Sequence, residues 1–306
     1  MALTYKGRVI EAEGWGTRAA NDRAPIWSLS KSITAACVGS LVDEGLLSFE
    51  SPLGRYLPGL RPATAAITVA QLITHRSGLP GHTPFGPLTS AVNLELSVRL
   101  PEEIPFAAIA VAMRNVAPTT PTGAGFAYSN LNYLFLGQLI ETVAQQPYVE
   151  VCNARLLRPA GIRDAGLDPR WGALLWSTGG WLLSPAEYLA FAATIAPGGS
   201  AGPKARAFLR DVPIRGAPAR DPLSYYSLGV LWQPSTTGPM ISHNGSWFWR
   251  HVGTVRSIDE DAGSQFRWWP NGLAWCATYA GVSLDSNPDA YSRLVTAIAR
   301  LRGAVG

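Results

Sequence analysis

The chain has 306 residues, enough for one large core or two small domains. With 47% hydrophobic and 15% charged residues it reads as a soluble globular protein, which excludes a disordered or low-complexity chain. Its net charge of +4 comes from scattered basic residues without a Lys or Arg run, so no nucleic-acid groove is expected.

The opening segment MALTYKGRVIEAEG lacks the apolar stretch of about 7–15 residues that marks a signal peptide. No segment approaches the roughly 20 apolar residues of a membrane helix. The expectation is a soluble protein, cytoplasmic as given, and periplasmic or secreted if a leader was removed. Residues 3–16 alternate and end in Gly14-Trp15-Gly16, which predicts an opening strand or hairpin. Residues 28–44 predict a helix, with Ile33, Ala36, Cys37, Val38, Leu41 and Val42 at helical spacing and Gly45 as the stop. Further helices are predicted over 67–74, 131–145 and 185–196, the last with Ser184 as N-cap and Pro185 at the first helical position. Residues 197–222, rich in Pro, Gly and Arg, read as a loop.

Beyond about residue 223 the pattern changes. YSLGVLWQ, PMISHNG, HVGTVRSID, SQFRWWP and GLAWCATYAG are short and turn-bounded, as consecutive antiparallel strands are. Residues 288–302 predict a terminal helix. Strands at both chain ends with helices between them predict an α+β fold, an α/β sandwich whose antiparallel sheet is built from both ends and flanked by helices. The expected division is 1–50 with 223–306 as the sheet domain and 51–222 as a mainly helical domain, with the active site between them.

Three segments carry candidate chemistry. In Ser28-Leu29-Ser30-Lys31, side chains three apart share one face of a helical turn, which sets the amine beside the hydroxyl. A serine hydroxyl needs a neighbouring base, and a lysine serves only if burial or nearby positive charge lowers its pKa. First-turn N–H groups lack helical partners and can point at a developing oxyanion. The pattern is short enough to arise by chance, and its bland alternative is an exposed lysine on a helix. In Tyr128-Ser129-Asn130 a phenol and a carboxamide two residues apart can face one cleft, the phenol sharing a proton with Lys31 and the amide holding Lys31 and a substrate carbonyl. The bland alternative is a helix start capped by Ser129 or Asn130. In His243-Asn244-Gly245-Ser246, at the end of a predicted strand, Gly245 permits close approach and the Ser246 N–H is a second oxyanion donor beside that of Ser28. Alone, His243 is more often a structural histidine.

The order Ser-x-x-Lys, Tyr-x-Asn, His-x-Gly resembles the penicillin-binding-protein and serine β-lactamase superfamily, in particular its class C β-lactamase-related part. That part includes D-stereospecific aminohydrolases and family VIII carboxylesterases. ITVAQLITHRSGLPG, STGGWLLSPAEYLAFA and LLRPAGI are similar to further stretches of that family, so the resemblance runs from about residue 5 to 300. It implies a β-lactamase/transpeptidase-like fold. It also implies Ser28 as acylated nucleophile, Lys31 as its partner, Tyr128 as general base and later acid, and Asn130 as substrate-positioning residue. The backbone N–H groups of Ser28 and Ser246 would form the oxyanion hole. His75 falls in a stretch that reads as structural.

The chain departs from the family's pattern at the third element, where its β-lactamases usually have Lys-Thr-Gly and this sequence has His243-Asn244-Gly245. That weakens the case for binding a β-lactam or peptide carboxylate and moves the expectation toward ester or amide cleavage, the partner expected being a small-molecule ester, amide or short peptide substrate. Trp247 and Trp249, among 11 tryptophans, are candidate pocket lining, with packing between domains as the equal alternative. The chain is also short for the superfamily, with the difference expected in loops or an extra C-terminal domain. The expectation is therefore a serine hydrolase working through a Ser28 acyl-enzyme. The alternatives are D-Ala carboxypeptidase or β-lactamase-like activity, an acyltransferase, and a non-catalytic binding or sensor module.

No cofactor or metal is expected: the 4 histidines lack ligand spacing, and Cys37, Cys152 and Cys276 read as buried free thiols. Gly198-Gly199-Ser200-Ala201-Gly202 matches the α/β-hydrolase elbow but lacks the strand before it. Asn244-Gly245-Ser246 matches a glycosylation sequon inside the expected active strand and is discounted.

Overall fold

The computed structural model describes residues 1–80, 106–170, 172–211, 224–250 and 257–280. Strand β1 (Ala2–Tyr5) turns into β2 (Arg8–Ala12) through Lys6 and Gly7, whose φ values of 48° and 78° make the two-residue hairpin turn that suits strand twist. The predicted opening hairpin is therefore present. β6 (Tyr225–Ser227), β7 (Val230–Gln233), β8 (Met240–Arg250), β9 (Ser257–Trp268) and β10 (Leu273–Tyr279) complete a seven-stranded sheet. Its order is β2-β1-β10-β9-β8-β7-β6, and every neighbouring pair is antiparallel. The closing strand pairs with the opening one, Ala2 opposite Cys276, so the sheet is built from both chain ends as expected.

Two expectations differ from the structure. HVGTVRSID and SQFRWWP do not form separate strands. From Ser257 onward they belong to the single strand β9, and residues 251–256 lie outside the described set. Gly263, which reads as a turn in the sequence, is a point of close approach: a Cβ there would sit 2.8 Å from the Gly245 carbonyl oxygen on β8. The segment 197–222 is also not all loop, because Pro203–Asp211 is helical. Pro203 starts that helix, Asp43 accepts from the Lys204 N–H at 2.7 Å, and Ala205 seats against Gly39. The predicted terminal helix over 288–302 lies outside the described residues.

The central helix Ser30–Asp43 is buried on nearly every side, which its apolar and small residues permit. It packs between the helices Asn130–Ala144, Gly172–Gly179 and Pro203–Asp211. The helix Pro185–Ile195 lies against β1 and β10. Its capping box is reciprocal: the Glu187 N–H donates to Ser184 Oγ at 3.3 Å, and the Ser184 N–H donates to Glu187 Oε2 at 2.8 Å. A small sheet of β3 (Ala24–Pro25), β5 (Trp181–Leu183) and β4 (Gly166–Leu167) leads the chain into the central helix. Cys37, Cys152 and Cys276 are buried free thiols. Among the described residues no helix is long and apolar enough to cross a membrane.

Candidate active site

Ser28 lies in a 3-10 turn, Trp27–Leu29, just ahead of the central helix. The α-helix therefore begins two residues later than the sequence predicts, at Ser30. Trp27 holds φ at 48°, a left-handed conformation that costs a non-glycine residue energy and sharpens the turn.

Lys31 is fully buried, with Nζ 3.1 Å from Ser28 Oγ and 2.8 Å from the Thr178 carbonyl oxygen. Burial drives its pKa well below the ordinary lysine value, because a desolvated ammonium is unstable. The Leu228-Gly229 turn between β6 and β7 presses on the helix at this point. Gly229 has φ of 74°, and a Cβ on it would sit 2.5 Å from the Lys31 carbonyl carbon.

Tyr128 approaches from the other side. Its partly buried ring lies 5.0 Å from Lys31 Nζ, and its hydroxyl shares a hydrogen bond with Ser28. Burial raises the phenol pKa, and the Ser28 hydrogen bond opposes that shift without cancelling it. Asn130 opens the helix Asn130–Ala144. Ser129 stands at its N-cap position, yet its hydroxyl donates to the Pro80 carbonyl at 2.7 Å rather than capping the helix.

β8 closes the arrangement. Gly245 packs directly on the Trp27–Leu29 turn: a Cβ there would lie 2.6 Å from the Ser28 nitrogen and 2.8 Å from Trp27 Cβ. A small cleft opens at this point, lined by Trp27, Ser28, Lys31, Asn130, Thr178, Gly179 and Ser246.

His243 is not among those lining residues. It is buried, with Nε2 3.0 Å from the Tyr226 hydroxyl and Nδ1 2.6 Å from the Asn244 carbonyl oxygen. A carbonyl only accepts, so the proton sits on Nδ1 and Nε2 accepts from Tyr226. Burial first, and the Lys31 charge second, push its pKa down to about 3, so the ring is neutral at pH 7. The side chains of Trp247 and Trp249 lie outside the described residues.

Three contributors escaped the sequence reading. Thr178 acts through a carbonyl, which leaves no mark on residue type, although the Gly179-Gly180 pair beside it signals close backbone approach. Tyr226 partners the other ring nitrogen of His243. His75, read as structural, packs its ring 4.2 Å from that of Tyr128.

A seven-stranded antiparallel sheet flanked by helices, with Ser-x-x-Lys at the start of a buried helix, defines a β-lactamase/transpeptidase-like fold. The profile of the Beta-lactamase family matches residues 1–275, and the chain belongs to that family. The chain is 30% identical over 148 residues to the D-alanyl-D-alanine-carboxypeptidase/endopeptidase AmpH of Escherichia coli (strain K12), covering 47% of this chain and 36% of that protein. It is 31% identical over 151 residues to esterase EstB of Burkholderia gladioli, covering 45% of this chain and 37% of that one. The chain thus spans little more than a third of the length of these relatives. A D-stereospecific amidohydrolase from Streptomyces sp. superposes with a TM-score of 0.70 over 92% of this chain and 90% of its own, at 19% identity, a likeness of fold.

Proposed function

We propose that this chain is a serine hydrolase that cleaves an ester or amide of a small substrate by two-step acyl transfer. The observation that carries the proposal is the placement of the buried Lys31 amine 3.1 Å from Ser28 Oγ, with its other contact at the Thr178 carbonyl. A neutral amine donating one N–H to Thr178 keeps its lone pair for the Ser28 proton. Ser28 Oγ then bonds to the substrate carbonyl carbon while its proton passes to Lys31. Tyr128, whose raised pKa keeps the phenol protonated, gives its proton to the leaving oxygen or nitrogen and regains one from Lys31. The bond to the leaving group breaks and the acyl group remains on Ser28. Water attacks the ester by the reverse proton path, releasing the acid.

The oxyanion is assigned to the Ser28 and Ser246 backbone N–H groups, which the Gly245 approach supports. Asn130 orients the substrate carbonyl. In the proposed division, 1–50 with 223–306 form the sheet unit and 51–222 the helical unit. In that division the cleft draws Ser28, Lys31 and Ser246 from the first unit and Asn130 and Thr178 from the second.

The neutral His243 favours ester or amide cleavage over a carboxypeptidase or β-lactamase, because it supplies no cation for a substrate carboxylate. EstB, an esterase by name, agrees with that preference, whereas AmpH by its name acts on a D-alanyl-D-alanine peptide. A fluorophosphonate probe labels the wild type and not Ser28→Ala; equal labelling of both sinks the nucleophile assignment. A panel of p-nitrophenyl esters, amides, nitrocefin and D-Ala-D-Ala peptides ranks the substrates. Acyl transfer to an added alcohol or amine in preference to water would show an acyltransferase instead. No label and no turnover would leave a binding module.

A further inference from the structure

The buried turn 75–78 grips the segment that carries Tyr128 from both sides. The His75 carbonyl accepts from the Ala127 N–H at 2.8 Å, one residue before Tyr128. His75 Nδ1 accepts from the Ser129 N–H at 3.2 Å, one residue after it. The imidazole also lies against the tyrosine ring, centroids 4.2 Å apart and planes tilted by 34°. His75 thus meets three consecutive residues, with Tyr128 in the middle.

Its own placement is over-determined. His75 is fully buried and holds φ at 54°, a conformation that a non-glycine residue keeps only when the surroundings impose it. Asn132 Nδ2 lies 2.8 Å from the same Nδ1, and Ser77 Oγ donates to Asn132 Oδ1 at 2.6 Å, which fixes the amide orientation. The Leu79 N–H in turn donates to Ser77 Oγ at 3.0 Å. With two N–H donors on Nδ1, the ring must carry its proton on Nε2. Phe126, Tyr133 and Tyr226 pack around it, with ring centroids 5.7, 5.2 and 4.8 Å away. Backbone bonds from Gly123 to Arg76 and from Thr119 to Gly78 tie the rest of the loop to the same turn.

The geometry points to His75 as a positioning residue that sets the Tyr128 hydroxyl against Ser28 through one carbonyl and one ring nitrogen, without touching substrate. This rests on the Ser28–Tyr128 reading above. A ring alone would pack equally well, so what the clamp needs is an acceptor at Nδ1. His75→Phe keeps the ring and loses the acceptor, whereas His75→Asn places an amide oxygen close to Nδ1.

The test compares both variants with wild type on a p-nitrophenyl ester, with kcat and KM separated and Tm recorded. His75→Phe should lower kcat by about 10–100-fold with KM within about threefold, and His75→Asn should recover most of the loss. A folded His75→Phe with wild-type kcat overturns the assignment, as does His75→Asn performing no better than His75→Phe. If neither variant folds, ¹⁵N NMR of the wild-type imidazole decides: an Nε2–H tautomer supports the clamp, and an Nδ1–H tautomer overturns it. Failure of the hydrolase reading registers separately, as equal probe labelling of wild type and Ser28→Ala.

Discussion

Gly245 stands against Ser28 so closely that a Cβ on the glycine would lie 2.6 Å from the serine nitrogen. This contact sets the distance between β8 and the Trp27–Leu29 turn, and Ser264 Oγ, 2.7 Å from the same point and donating to the Ile26 carbonyl, leaves no room for a side chain there. Gly245→Ala should therefore push the strand off the turn and spoil the oxyanion site. Loss of one such donor costs on the order of 10²–10³ in kcat. Ester kinetics check this, and a variant with wild-type kcat would show that the approach does not matter.

Lys31 should be costly to stability as well as needed for acylation. In the unfolded chain it titrates near its ordinary 10.5, and in the fold burial holds it far lower. Folding therefore disfavours its charged form, and that cost shrinks as pH rises toward 10.5. Lys31→Met is expected to abolish probe labelling yet raise stability by about 1–2 kcal/mol, read as a higher denaturant midpoint. A destabilised Lys31→Met would contradict this.

The same linkage acts on His243 at lower pH. Its pKa falls from 6.5 to about 3 on folding. Above 6.5 the ring is neutral in both states and carries no penalty. Between 6.5 and about 3 the unfolded chain takes up a proton that the folded one refuses, so stability drops by at most about 1.4 kcal/mol per pH unit from this residue. Urea melts of wild type and His243→Gln at pH 7, 5 and 4 measure it, with the variant expected to show the shallower decline.

Tyr128→Phe separates proton delivery from nucleophilic attack. General acid–base groups contribute about 10²–10⁴-fold. An amide must protonate its nitrogen to leave, whereas p-nitrophenolate leaves unaided. The variant should therefore lose far more activity on an anilide than on the matching p-nitrophenyl ester. Equal losses on both would remove Tyr128 from leaving-group protonation.

The parts of this fold that were legible in the sequence are those coded by local chemistry. Alternation over residues 3–16 announces the first hairpin, Ser184-Pro185 announces a helix start, and the Ser28-to-Lys31 spacing puts both groups on one face. The misread parts depend on distant partners. The helix Pro203–Asp211 looks like a loop because much of it is polar, and Ala205 and Phe208 find their burial only against other segments. Gly263 looks like a turn because nothing nearby in sequence reveals that Gly245 and Tyr279 press on it. The site divides in the same way. The side chains of Ser28, Lys31 and Tyr128 are readable as chemistry. The Thr178 and His75 carbonyls are not, since any residue type supplies one.

The pairing of β1 with β10 also sets when the protein can work. Ser28 and Lys31 precede the strand bearing Gly245 by some 200 residues, and the partner of Ala2 is Cys276. Contacts so distant in sequence close late in folding. Until β8 and β10 are made, the growing chain therefore carries the proposed nucleophile without the strand that packs on it, and β1 without its partner. The proposed hydrolase activity should switch on only after β10 has emerged, and until then the unpaired β1 edge is a ready target for chaperones.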